Sequence, residues 1–111
     1  MARTPCRVVD SFSGRLLGVM FSSSVALPLL FVFDAPGRHA IHSFFCPAFD
    51  AVFVGEDGRV VDVFEVRSWA PWFAPKSDAK FLVEAPPGFA RNIREGQVVR
   101  VNPDECWLDI A

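Results

Sequence analysis

The sequence predicts a mainly β protein: a small single-domain β-barrel or two-layer β-sandwich with one short N-terminal α-helix. Three observations carry that prediction. About seven or eight short apolar runs are separated by turn residues along the whole chain. The stretch FDAVFVGEDGRVVDVFEV, from Phe49 to Val66, is apolar on both faces around an Asp-Gly pair, the strongest short-range hairpin signal. Helical periodicity is clear in one place, near the N-terminus. At 111 residues the chain is long enough for one core and not for two, so residues 1–111 are expected to form a single domain.

In chain order, Arg7-Val8-Val9 reads as a first short strand. Asp10, Ser11 and Ser13 offer N-cap side chains for a helix over about Phe12 to Phe21. Phe12, Leu16, Val19 and Met20 form its apolar stripe, and Gly14 and Gly18 suit close packing on a sheet. Leu29 to Phe33 is a buried strand ended by the turn residues Asp34-Ala35-Pro36-Gly37. His39 to Phe45 is apolar enough for another strand. Ser68 to Ser77 is a loop, because two of its residues are prolines. Lys80 to Glu84 is a strand stopped by Pro86-Pro87-Gly88, and Phe89 to Arg94 suits a helical turn. Gln97 to Val101 and Cys106 to Ile110 are the last strands.

The hairpin register depends on its turn. A two-residue turn at Asp57-Gly58 sets Glu56 opposite Arg59 and gathers Val52, Val54, Val61 and Val63 on one face. Phe49, Phe53 and Phe64 then share the other face, interrupted by Asp62. A three-residue turn shifts these pairings, and the sequence leaves the choice open. Either way, a hairpin apolar on both faces must be covered on both.

Composition narrows the function classes. The chain is 51% hydrophobic and 22% charged, with twelve Phe and no Tyr, which suits a dry globular core. A net charge of −2, spread along the chain, argues against a nucleic-acid partner. Cys6, Cys46 and Cys106 are odd in number and far apart, which excludes a disulfide framework and favours buried thiols in a reducing compartment. Leu16 to Phe33 carries no charge and follows Arg3, Arg7 and Arg15, but Ser22-Ser23-Ser24 and Pro28 break the run. It falls short of the roughly 20 apolar residues a spanning helix needs. The expectation is a soluble, cytoplasmic protein without signal peptide or membrane span.

Taken together, these residues resemble the bacterial and archaeal domain of unknown function 192 family. The likeness runs through Phe12-x-x-Arg15-Leu16-x-Gly18-x-Met20, His42-Ser43-Phe44-Phe45, and Phe49-Asp50-Ala51-Val52-Phe53-Val54 with Asp57-Gly58-Arg59-Val60-Val61. It continues through Pro71-Trp72, Phe81-Leu82-Val83-Glu84-Ala85-Pro86-Pro87-Gly88 and Gly96. No single motif is specific; their order and spacing are. The resemblance implies a small β-rich fold with a short N-terminal helix, and no particular chemistry. Ala48 stands where family members often carry Pro, and Gly96-Gln97 replaces the usual Gly-Asp.

Candidate sites are few. His39, His42 and Cys46 are ligand types, but His39 and His42 point to opposite faces of a strand and no second ligand pair exists, so no metal site is expected. Arg15 and Asp50 interrupt apolar surroundings, and a buried carboxylate generally needs a cation, so an Arg15–Asp50 pair is the simplest expectation. The functional alternative sets Arg15 and His42 at the mouth of a pocket for an anionic small molecule. Trp69, Trp72 and Phe73, on a proline-stiffened loop beside Lys76 and Lys80, are either a recognition surface, a cap on the core or a homodimer contact. No phosphate loop, nucleophile elbow or zinc-protease motif is present, and no cofactor is implied. Glu65 and Asp62 are three apart and face opposite ways on a strand. The sequence therefore favours a non-enzymatic ligand-binding or accessory module, with an apolar pocket for a small anionic or apolar ligand formed by the Trp69–Trp72 loop with Arg15 and His42. A minor enzyme using His42 or Asp50, or a structural homodimer built on the Trp69–Trp72 loop, are the alternatives.

Overall fold

Val-, Phe- and Leu-rich runs bounded by Gly and Pro do form strands. The computed structural model describes residues 2–5, 7–9, 28–39, 48–67, 73–102 and 107–110. These make eight strands: β1 (Ala2–Pro5), β2 (Arg7–Val9), β3 (Leu29–Gly37), β4 (Phe49–Val54), β5 (Val60–Val66), β6 (Ala79–Ala85), β7 (Val99–Asn102) and β8 (Trp107–Ile110). The described part is mainly β and contains no helix. The helix expected over Phe12 to Phe21 and most of the strand expected over His39 to Phe45 lie outside the described residues.

β3, β6, β4 and β5 form an antiparallel sheet in that order, with β2 added in parallel on the β3 edge. β1, β8 and β7 form a second, three-stranded sheet. The two meet where β5 begins. Val60 N donates to Gln97 O, Gly96 N to Val60 O and Val99 N to Gly58 O, at 2.8–2.9 Å.

β4 is buried at every position, and its two faces belong to two cores. Phe49, Ala51 and Phe53 join Leu29, Phe31, Phe33, Val66 and Leu82 on what we call the Phe face. Val52 and Val54 join Leu30, Val60, Val83 and Ala85 on the Val face. Ala90, Ile93 and Val99 cover the Val face. Phe73, from the segment preceding β6, lies across the Phe face against Phe49, Phe53 and Phe64. Each of these large side chains contributes roughly 1.5–3 kcal/mol by leaving water.

The hairpin takes the longer turn. Gly58 N donates to Gly55 O and Gly55 N to Arg59 O, which leaves three residues in the loop, with Gly58 at φ 84°. Val54 therefore pairs with Val60, and a bulge then returns the ladder to Phe53–Asp62 and Val52–Val63. Two expectations that hung on the shorter turn are corrected. Glu56 does not face Arg59, whose guanidinium donates instead to Gly96 O and whose amide donates to Asp57 Oδ1. The bulge also sends Val61 to the Phe face, and Val60 takes its place among the valines.

Two boundaries differ from the sequence reading. β3 runs on through Asp34-Ala35-Pro36 to Gly37, because a register shift after Val32 absorbs these turn residues as an irregularity. Lys80 Nζ occupies the irregularity and donates to the Phe33 and Asp34 carbonyls. Phe89 to Arg94 forms consecutive turns and no helix, since its main-chain bonds run three residues back, as from Arg91 N to Gly88 O and Ile93 N to Ala90 O.

Gly58→Ala is expected to destabilise the protein by about 1–2 kcal/mol. The position is left-handed, and a Cβ there would stand 3.3 Å from the Val99 carbonyl that links the two sheets. Urea denaturation of the variant checks this; parental stability would contradict the three-residue turn.

Candidate functional site

Two carboxylates are buried among the described residues, Asp50 and Glu84, and the sheet pleat sends them to opposite faces. Asp50 on β4 lies opposite Ala85 of β6 and Glu65 of β5, and shares the Val face. Its Oδ2 accepts the amides of Gly88 at 3.0 Å and Ala90 at 2.9 Å. Charge-assisted bonds of this kind are stronger than neutral ones. They hold the 86–93 turns down on the sheet, so that Ala90 and Ile93 enter the core. Gly88 sits at φ 93°, which lets the chain turn back toward the carboxylate after two prolines. The sequence paired Asp50 with Arg15. Its partners among the described residues are backbone amides, and Arg15 lies outside them.

Beside Asp50 a cleft of ≈ 370 Å³ opens between the end of the β4–β5 hairpin and the 87–91 turn. Phe49 and Asp50 line it from β4, Glu65 from β5, Arg67 from just past the end of β5, and Gly88 and Arg91 from the turn. Glu65, Arg67 and Arg91 are exposed, whereas Asp50 is only 3% exposed. The cleft thus sets two carboxylates and two guanidinium groups around one space. Sequence reasoning missed Arg67 and Arg91, which look like solvated surface residues. The Asp50–Glu65 pairing was accessible, because it follows from the register of the shorter turn, which the bulge restores.

Glu84 on β6 lies between Leu29 of β3 and Ala51 of β4 on the Phe face. No hydrogen bond or ion pair reaches its carboxyl among the described residues. Burial in this apolar surrounding pushes the carboxyl up to about 8 from an ordinary 4.5.

The remaining candidates have structural roles or lie outside the described residues. His39 stacks on Phe33 at 4.0 Å, with Nε2 2.9 Å from Ala35 O. Among the described residues no group of His, Cys, Asp and Glu is placed to hold a metal ion. Lys76 pairs with Glu95, which raises the lysine above its usual range, and Lys80 serves the β3 carbonyls. Phe73 is half-buried against three phenylalanines and acts as a cover for the core. His42, Trp69 and Trp72 lie outside the described residues.

The profile of the DUF192 family, described as uncharacterized ACR, matches residues 2–101. The chain belongs to this family. Among DUF192 relatives, a UPF0127 protein of Pyrococcus horikoshii is 33% identical over 90 residues, 79% of this chain and 77% of that protein. A UPF0127 protein of Thermococcus sibiricus is 32% identical over 85 residues, 74% of this chain, and the match spans only 54% of its length. Two solved structures share the fold. A protein of unknown function from Novosphingobium aromaticivorans has a TM-score of 0.75 at 18% identity, over 82% of this chain and 70% of that one. A Sinorhizobium meliloti protein, described provisionally as a transcription regulator, has a TM-score of 0.77 at 15% identity, over 95% of this chain and 80% of that one. The DUF192 resemblance read from Phe49 to Val54 and from Phe81 to Gly88 is thus upheld, and those two motifs contribute Phe49, Asp50, Pro87 and Gly88 to the cleft lining. Among the described residues no helix is long and apolar enough to cross a membrane.

Two predictions follow from the buried carboxylates. Asp50→Ala leaves two amides without their acceptor and is expected to cost about 2–4 kcal/mol, with Asp50→Asn losing less because it keeps an amide oxygen. Equal losses by chemical denaturation would contradict the amide-holding role. For Glu84, the folded state keeps a proton between about pH 4.5 and 8 that the unfolded state has released. Stability therefore falls as pH rises through that window, by roughly 2–5 kcal/mol. Glu84→Gln is expected to flatten the profile and to exceed the parent in stability at pH 9. A parent stability independent of pH between 5 and 9 would show that Glu84 is not buried alone.

Proposed function

We propose that the protein is a non-enzymatic binding module for a small polar ligand, taken up in the cleft between the β4–β5 end and the 87–91 turn. The observation that carries this reading is the join of opposite charges around one open cleft whose walls belong to the sheet and to the turn tied to it. Asp50 ties the turn to the sheet through Gly88 and Ala90, so the cleft walls are held by the fold itself. Ligand sites are commonly concave, with a few convergent polar groups on an apolar floor. Phe49 and Val66 supply that floor here.

The barrel-or-sandwich reading of the architecture is supported by the hydrogen bonds linking Gly58 and Val60 with Gln97 and Val99, and by the single residue between β1 and β2. Participation of Arg15, His42, Trp69 and Trp72 in the site remains the expectation drawn from the sequence.

A metabolite panel read by thermal shift, followed by mapping of amide chemical shifts, tests the proposal. A ligand that binds only the folded state raises the melting temperature by mass action. Saturable shifts confined to residues 65–67 and 87–91 are expected, together with about tenfold weaker binding by Arg91→Ala. Shifts clustered elsewhere would refute the cleft as the site.

A further inference from the structure

We infer that Glu84 and Phe73 form a pH-sensitive latch, in which loss of the Glu84 proton to solvent releases the Phe73 ring and the 73–78 segment from the Phe face. The placement follows from the sheet register. Glu84 of β6, Ala51 of β4 and Phe64 of β5 are successive partners in one row across the sheet. Ala51 has no side chain beyond its Cβ, so a slot is left between Glu84 and Phe64. The centre of the Phe73 ring lies 5.3 Å from that of Phe64 and 6.4 Å from those of Phe49 and Phe53, which flank Ala51 along β4. Phe73 therefore sits over the slot, beside Glu84.

Glu84 is 7% exposed, and no partner among the described residues reaches its carboxyl. β3 presents Leu29 and Phe31 to it, and β4 presents Phe49, Ala51 and Phe53, all uncharged. Three charged side chains share this side of the sheet. Lys80 of β6 is bonded to the β3 carbonyls, Asp62 of β5 accepts the Val63 and Lys76 amides, and Lys76 pairs with Glu95. Arg7 of β2 stands in register with Leu29, one strand beyond β3. Ionisation of a buried carboxyl requires water around it. β6 cannot move out to meet water, because β3 and β4 pair with it on both edges. The covering segment can. Outside its ring contacts it is held by Arg38 Nε on Pro75 O at 2.8 Å, by Asp62 on Lys76 N at 3.2 Å and by the exposed Lys76–Glu95 pair. A segment held by so few polar contacts opens at lower cost than a paired strand. The coupling is reciprocal: if opening eases ionisation, ionisation favours opening to the same extent. Burial holds the Glu84 carboxyl up at about 8, so the closed state weakens as pH rises from about 4.5 through 8.

Side-chain carbon NMR of Glu84 in the full chain reads the proton. Amide exchange at about pH 6 and about pH 9, corrected for its intrinsic pH dependence, reads the cover. In the parent, exchange within residues 73–78 is expected to rise at least about tenfold between these conditions relative to the β4 amides. Glu84→Gln is expected to abolish that rise. Phe73→Ala is expected to bring the Glu84 titration down by at least about one pH unit, and Phe73→Leu, the milder change, by less. A Phe73 that only packs would lower stability and leave the titration where it is, which would overturn the latch. An ordinary carboxylate titration in the parent would overturn it as well. So would a rise in exchange spread evenly over β4, β6 and the segment, which marks global unfolding, or a rise that persists in Glu84→Gln.

Discussion

β4 has no solvent face, and the rest of the fold follows from that constraint. A strand buried on both sides needs a sheet partner on each edge and a cover over each face. Its neighbours β5 and β6 supply the first, and their Val-rich and Phe-rich faces extend the two cores. The covers then come from opposite directions in the chain. Phe73 is laid over the Phe face by the segment leading into β6, and the turns after β6 bring Ala90 and Ile93 onto the Val face. β7 completes the second cover and joins the hairpin tip through the bonds around Val60.

Of the two buried carboxylates among the described residues, Asp50 sits on β4 and Glu84 beside it on β6, and the difference between them separates architecture from chemistry. Asp50 faces a segment whose backbone has amides to offer, and it becomes the clamp that keeps the Val-face cover in place. Glu84 faces aliphatic side chains and has no donor among the described residues, so it holds its proton far above the usual carboxylate range. One strand position and one pleat decide which of these roles a carboxylate takes. An acid residue on this sheet is therefore interpretable only through its register.

Much of this was legible in the sequence. The alternation in Phe49 to Val54 and Val60 to Val66 showed a two-faced hairpin, and turn residues bounded β6 and both ends of the 86–97 segment. What failed did so for local reasons. Asp57-Gly58 is compatible with two loop lengths, and a bulge at Val60-Val61 is invisible to a period-two pattern because it changes the register by one residue and then changes it back. Asp34-Ala35-Pro36-Gly37 has strong turn chemistry, yet Lys80 satisfies two of the irregular carbonyls from the next strand, a contact 46 residues away in sequence. The Gly88 and Ala90 amides on Asp50 were not foreseen, because hydrogen-bond donors from the main chain leave no residue-type signature, while the Arg15 half of the expected pair lies outside the described residues. Arg67 and Arg91 are conspicuous only once the strand end and the turn have been brought together.

The position of the cleft has a physical reason. At the hairpin tip the chain is fully occupied in joining the two sheets, with Gly58, Arg59 and Val60 all bonded to residues 96–99. At the opposite end the paired strands separate after Phe49 and Val66, and the 87–91 turn approaches without adding a strand. The space between them is lined by the hairpin end on one side and the 87–91 turn on the other. Charged residues there can be exposed at the rim while Asp50 stays buried at the base. A site of that kind asks little of the core, because the carboxylate that defines its depth is already held by the amides that the fold itself requires.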